Sequence, residues 1–446
     1  MACEVEWIPL GDIVNLSSGG TPDKKQPAYW DGEIPWISAK TLTGDTVTTS
    51  NLFITEEGLH AGSKLAPVGS ILLLTRGSGL FKRIPLAIVN APVAYNQDVK
   101  CMTSKVTTIT NEYVFFALKA LSPELTNMLE TTGIGAGKLA TDRLLDMPIP
   151  VLSHDEREKA VSFFSALSRK IMINNRINDY LADFASTVFQ NQASHIEERI
   201  ALFDIADIKY GKGLAKNELV EDGYPVFGGN GQIGFYSKYL YEEPQILISC
   251  RGAASGKVLV SLPKSFITSN SLIIELKDRR YYEYLKQYFM LHQLYDYATG
   301  SAQPQITIDG LRHLTVPYPP FDLIKTLTNQ LKAISDCIYS NDIENQALSR
   351  LRDTLLPKLM SGEIDVSKVD LTQLTNNHLS GCGSFCSVCC PSGLASEFHE
   401  WFREHFSLVT VTYAKQIWDG RICPKDTKEE ESCRLVVTVI EVGSKN

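Results

Sequence analysis

Hydrophobic positions change period along this chain, and the changes divide it. Short apolar or alternating runs bounded by Gly, Pro and Asn read as strands; ILLLTRGSG at 71–79 and ILISCRGAASG at 246–256 are the clearest. Each β-rich stretch contains one helical patch, at 111–120 and at 281–291. At 167–189 and 334–356 the period becomes that of an amphipathic helix. Ile171, Leu181, Phe184 and Val188 fall on one face of the first, and Ile338, Leu348, Leu351 and Leu355 on one face of the second. Leu-Pro-Lys-Leu-Met-Ser-Gly at 356–362 predicts that the second helix ends at its Pro and Gly.

The same pattern occurs twice. GDIVNLSSGG at 11–20 is answered by FDIADIKYGKG at 203–213, and Pro35-Trp36-Ile37 by Pro225-Val226-Phe227. The two Arg-Gly runs correspond, as do TTGIGAGKLATDRLLDMPIPV (131–151) and ATGSAQPQITIDGLRHLTVPYPP (298–320). The helices align without gaps. The expected organisation is a globular unit at 1–152, a helix at 153–195, a second globular unit at 196–320, a second helix at 321–369 and an extension at 370–446. Each unit mixes strands and helix, an α+β class. The two long helices bury their stripes most economically on each other as an antiparallel coiled coil; the alternative is that each packs only on its own unit.

Composition refines this. With 446 residues and 44% hydrophobic content there is material for several cores. No apolar run is long enough to span a membrane, and MACEVEWIPLGD has neither the basic start nor the apolar stretch of a signal peptide, so a cytoplasmic protein without membrane contact is expected. Of the ten cysteines four crowd into 382–390 and the rest are scattered, which is not a secreted disulfide framework. A net charge of −8 argues against holding nucleic acid alone through a broad basic surface, so tight binding needs a local groove or partners.

The order and duplication of certain strings resemble the specificity (S) subunit of type I restriction–modification systems. They are Trp7-Ile-Pro-Leu-Gly-Asp-Ile, Gly19-Gly20-Thr21-Pro22, Ile34-Pro35-Trp36-Ile37-Ser38, Gln97-Asp98, PVFGGNGQIG at 225–234, Gly300-Ser301-Ala302-Gln303-Pro304-Gln305-Ile306, and the 355–362 string. The resemblance covers about 7–366. It implies two target recognition domains, each reading one half of an asymmetric double-stranded DNA site. The helices would set the gap and dock methyltransferase (M) subunits, and through them restriction–translocase (R) subunits. S-adenosylmethionine, ATP and Mg would be bound by those partners, with no cofactor on this chain. Other readings are an orphan DNA reader, or a duplicated-domain small-ligand or carbohydrate-active enzyme, which would need convergent carboxylates in a pocket.

Reading bases calls for Arg or Lys toward guanine and Asn or Gln toward adenine, on loops that reach a groove. The candidates are Lys40, Arg76, Lys82, Arg83 and Lys138 in the first unit, and Asn230, Gln232, Arg251, Lys257, Gln303 and Gln305 in the second. Each is equally readable as an ordinary surface side chain. No catalytic residue is assigned. Gly229–Gly234 fits G-x-G-x-x-G, but no convincing helix follows, and GIGAGKL at 133–139 lacks the first Gly and the Ser/Thr of a phosphate-binding loop. Cys382, Cys386, Cys389 and Cys390 contain one C-x-x-C pair without a second, a weak metal signal.

Overall fold

The computed structural model describes residues 5–133, 135–193, 196–300 and 303–364. The four clustered cysteines and the rest of the extension lie outside them. The described chain forms two compact units, one running through Ile173 and resuming at Ile343, the other Asn174–Asp342. Each unit therefore holds half of each long helix.

In the first unit the strands are β1 (Glu6–Pro9), β2 (Val14–Ser18), β3 (Trp30–Ile37), β4 (Thr46–Val47), β5 (Phe53–Ile54), β6 (Lys64–Ala66), β7 (Ile71–Leu74), β8 (Arg76–Gly77), β9 (Leu86–Val89), β10 (Val93–Tyr95) and β11 (Val99–Ser104). Helix α1 (Asn111–Ala120) follows, capped by Thr110, whose hydroxyl accepts from the Tyr113 N–H. Then come β12 (Glu130–Thr131), β13 (Gly137–Lys138) and β14 (Pro148–Val151). The central sheet has the order β2-β11-β7-β9-β4, and a second sheet the order β5-β3-β10-β6.

Strand β7 reads as a continuous apolar run because both its faces are covered. Ile71 and Leu73 pack with Phe116 on the helix side, while Leu72 and Leu74 face Ile37, Val89 and Tyr95.

After β14 comes α2 (His154–Ala193), a 40-residue helix of about 60 Å. Glu156 reaches back to the Ser153 N–H at its start, half of a capping box. The second unit repeats the plan with β15 (Arg199–Ala201), β16 (Ala206–Tyr210), β17 (Tyr224–Gly228), β18 (Gly231–Tyr236), β19 (Ile246–Ser249), β20 (Val258–Val260), β21 (Phe266–Ile267), β22 (Ser271–Leu276), α3 (Tyr282–Leu291) and β23 (Thr315–Pro317). Its sheet order β16-β22-β19-β20 reproduces β2-β11-β7-β9, and β18-β17-β21 reproduces β5-β3-β10, including the parallel pairing of β17 with β21 and of β3 with β10.

Helix α4 (Phe321–Met360) completes the described chain. It pairs antiparallel with α2. In the first unit Lys170 Nζ lies 3.2 Å from Glu344. In the second, Asn178 donates to Asp342 at 2.9 Å and accepts from Asn341 at 2.7 Å, and Gln192 donates to Gln330 at 3.4 Å. Each helix half also enters its unit's core: Phe163, Phe164, Leu356 and Leu359 in the first, Leu181, Phe184, Ile324 and Leu331 in the second. The two packing schemes considered from sequence thus operate together.

Two expectations are corrected. The second helix does not end at its proline: Pro357 lies inside α4, and the chain turns at Gly362, with φ +73°. Burial of Leu356, Leu359 and Met360 in the first unit's core outweighs the one backbone bond that proline removes. Leu351 is 38% exposed rather than part of the buried face, because the neighbouring Arg352 turns inward to Asp45.

Candidate nucleic-acid interface

In each unit an apolar strand delivers an Arg-Gly pair to one edge, where a returning loop bonds to it. In the first unit β8 pairs antiparallel with β13, placing Arg76 opposite Lys138 and Gly77 opposite Gly137. The Leu139 N–H donates to the Thr75 carbonyl at 2.9 Å. In the second unit Arg251 forms a bridge with Gln305, the Gly252 N–H donates to Pro304 at 3.0 Å, and the Ile306 N–H donates to Cys250 at 3.1 Å. Thr75, Arg76, Lys138 and Leu139 thus occupy the places of Cys250, Arg251, Gln305 and Ile306.

Arg76, Lys138, Arg251, Gln303 and Gln305 are all exposed. Gly77 and Gly252 have φ of +154° and +78°, which a side chain would strain. No heavy atom stands within 4 Å of where a Cβ would sit on Gly79, Gly133, Gly135 or Gly252, so the loops present open backbone. Burial pushes the Cys250 thiol up, with Arg251 opposing, which does not make a nucleophile.

The remaining candidates divide. Asn230 stands exposed at the tip of the β17–β18 hairpin, and Lys257 Nζ donates to its Oδ1 at 3.0 Å. Gln232 is exposed on β18. Lys40 is exposed in the turn after β3, next to Ala39, whose Cβ is 3.7 Å from the Cβ that Gly77 would carry. Lys82 is exposed beyond the turn Ser78–Phe81. Arg83 instead donates to the backbone carbonyls of Leu42 (3.3 Å) and Thr43, so its guanidinium holds a loop.

The enzyme-like strings have other uses. Gly229–Gly234 makes a strand–turn–strand hairpin, not the strand–turn–helix of a dinucleotide site. The 133–139 string closes the β12–β13 hairpin. Among the described residues no group of His, Cys, Asp and Glu is arranged to hold a metal, and no helix is long and apolar enough to cross a membrane.

Sequence reasoning missed two features. Asp45 accepts from both Lys119 on α1 and Arg352 on α4 (2.7 Å), a half-buried cluster whose members lie far apart in the chain. In the second unit a groove of about 830 Å³ runs between α3 and the halves of α2 and α4. Lys286, Glu283 and Ser335 are bonded together along it, while the buried hydroxyls of Tyr282 and Thr328 have no partner. Only the tyrosine-rich composition of α3 hinted at it.

The family model for the type I restriction modification DNA specificity domain matches residues 4–182 and again 198–351. The chain is 24% identical over 410 residues to the type I restriction enzyme MjaIX specificity subunit of Methanocaldococcus jannaschii, covering 81% of this chain and 93% of that protein. It is 31% identical over 193 residues to the EcoR124I/EcoR124II specificity subunit of Escherichia coli, 40% of this chain and about half (48%) of that one. Among solved structures, the type I restriction–modification S subunit from M. genitalium aligns with a TM-score of 0.48 at 18% identity, over 80% of this chain and 96% of that one. The double match follows the duplicated architecture, and the chain belongs to the family of type I restriction–modification DNA specificity subunits.

Proposed function

We propose that the chain is the DNA-reading subunit of a type I restriction–modification complex, with each unit addressing one half of an asymmetric duplex site. The observation that carries this is the duplicated edge, an Arg-Gly strand bonded to the same returning loop in both units, Arg76 to Lys138 and Arg251 to Gln305. Arginine and amide side chains beside open glycine backbone suit phosphates and base edges. The paired helices fix the gap between half-sites. The chain contributes no chemistry of its own; methyltransferase subunits bring S-adenosylmethionine, and restriction–translocase subunits bring ATP and Mg. The groove beside α3, with its unpartnered hydroxyls, is the surface assigned to a methyltransferase subunit.

Methylome sequencing of cells carrying the chain and its partner methylase tests this. A bipartite motif whose gap grows when α2 is lengthened by one turn after Asn178 is expected. An unchanged gap removes the ruler, and methylation or cleavage by the purified chain alone removes the non-catalytic reading.

A further inference from the structure

The two edges share one part and differ in another. The shared part is the bridge: the same Arg, followed by Gly, opposite the same position of the returning loop. The differing part lies beside it. In the first unit β3 and β5 are joined by a long connection that carries Lys40 and β4. In the second the equivalent β17 and β18 are joined by the tight turn Gly229-Asn230. Both connections press on the bridge region. A Cβ on Gly229 would sit 2.9 Å from Ser249 Oγ and 3.1 Å from the Asn270 carbonyl, and Ala39 flanks Gly77.

We infer that these two parts divide the work of reading. The Arg76 and Arg251 bridges clamp the phosphate backbone irrespective of sequence, and the strand connections, through Asn230 in the second unit and Lys40 in the first, discriminate bases. The inference rests on the proposed DNA-reading function. Two units that address unlike half-sites must differ where they read bases; at the bridge they share the arginine and the glycine after it, with Lys138 opposite in one and Gln305 in the other. Phosphate contacts position a protein without carrying sequence information, and backbone next to open glycine suits them.

The geometry of Asn230 supports the other half. Lysine only donates, so the contact from Lys257 fixes the amide oxygen toward it and turns the NH2 end outward. An outward amide donor suits a purine N7 or another major-groove acceptor. At Gly229 the hairpin tip packs too closely on Ser249 and Asn270 to admit a side chain, which seats Asn230 beside the strand that leads into Arg251.

The test uses the full chain co-purified with its methyltransferase, on duplexes substituted one base pair at a time and across a salt series. For Arg76→Ala and Arg251→Ala, all duplexes should weaken alike, and the slope of log K against log salt should fall by about one. For Asn230→Ala, discrimination at one position of one half-site should drop by roughly five- to a hundredfold with the salt slope unchanged. Lys257→Met should relax that same position, and Lys40→Ala one position of the other half-site. Arg251→Ala selectively changing one base position, or Asn230→Ala weakening every duplex equally, overturns the division. If all these variants bind as the parent does, this edge does not face DNA and the proposed function fails at this site as well. Circular dichroism of each variant checks folding; every position but the half-buried Lys257 is exposed.

Discussion

The two units are built on one plan, but the equivalent helices α1 and α3 are fastened differently. In the first, α1 is tied to α4 by charge. Asp45 takes bonds from Lys119 and Arg352, with only 16% and 11% of those side chains exposed. Burial lowers the Lys119 pKa, Asp45 raises it and Arg352 lowers it again. In the second, α3 carries its own Lys286–Glu283 ion pair, which reaches α4 through the Ser335 hydroxyl, and α3 is tied to α2 by a bond from Gln287 to Ser186 at 3.1 Å, with tyrosines filling much of the core around it. A fold can therefore be duplicated while the linkage of its recognition unit to the shared helices is rebuilt in another chemistry. The first linkage depends on a carboxylate from a loop outside both helices, whereas the second keeps its ion pair on one helix and reaches the other through a hydroxyl.

Asp45→Asn should produce the largest difference between the units. It leaves Lys119 without its carboxylate and Arg352 with Asp353 alone (2.8 Å), at a cost of about 2–3 kcal/mol to the first unit, below that of a fully buried pair because a third of the Asp45 side chain is exposed. With Trp401 and Trp418 of the extension replaced by Phe, denaturation followed by tryptophan fluorescence reports this unit, which contains Trp7, Trp30 and Trp36, whereas 174–342 contains none. Equal midpoints for variant and parent would show that the cluster is not coupled to stability.

Alkaline pH should reverse the ranking. Burial raises Tyr95 and Tyr113 in the first unit to about 12. In the second, burial raises Tyr241, Tyr281, Tyr282, Tyr284 and Tyr318. A phenol raised in the fold keeps its proton after the unfolded chain has released it. Its stabilisation is complete below pH 10 and is lost as pH climbs from there toward the folded value, about 1 kcal/mol by pH 11 for a phenol raised to about 12, as Tyr95, Tyr113 and Tyr318 are. The second unit, richer in such groups, should unfold first. Loss of far-UV ellipticity before any tryptophan change is the expected signature, and simultaneous loss counts against it.

The tyrosines separate the units again at finer scale. Tyr113 donates to the Pro150 carbonyl at 2.8 Å and accepts from the Leu152 N–H at 3.1 Å, so Tyr113→Phe strands two buried partners and should cost about 2 kcal/mol. Tyr281 donates to the Pro319 carbonyl at 2.9 Å and should cost about 1 kcal/mol as Phe. Urea midpoints of the two variants test the order.

The smallest effect should have the opposite sign. The Tyr282 hydroxyl is buried without a partner, so Tyr282→Phe should leave stability unchanged or raise it by up to about 1 kcal/mol. A clear loss would mean that this hydroxyl has a stabilising role in the free chain.

Periodicity and repetition determined most of the architecture. The runs at 71–74 and 246–249 had to be strands buried on both faces, and the spacing of Leu181 and Phe184 or of Leu348 and Leu355 had to be helical, because local period fixes which side chains share a face. Gap-free alignment of the helical stretches made duplication, and hence two reading units, legible without coordinates. What only the tertiary structure decided depends on partners distant in sequence. The opposition of Arg76 to Lys138 and of Arg251 to Gln305, and the contact of Lys257 with Asn230, join loops whose spacing along the chain carries no sign of their meeting. The use of Arg83 to hold the carbonyls of Leu42 and Thr43, and of Asp45 to bind Arg352, was equally hidden. A charged residue looks the same in sequence whether it faces solvent, a phosphate or a buried counter-charge. Pro357 shows the same limit for backbone: its local signal says stop, and the burial of Leu356 and Leu359 on either side carries the helix through.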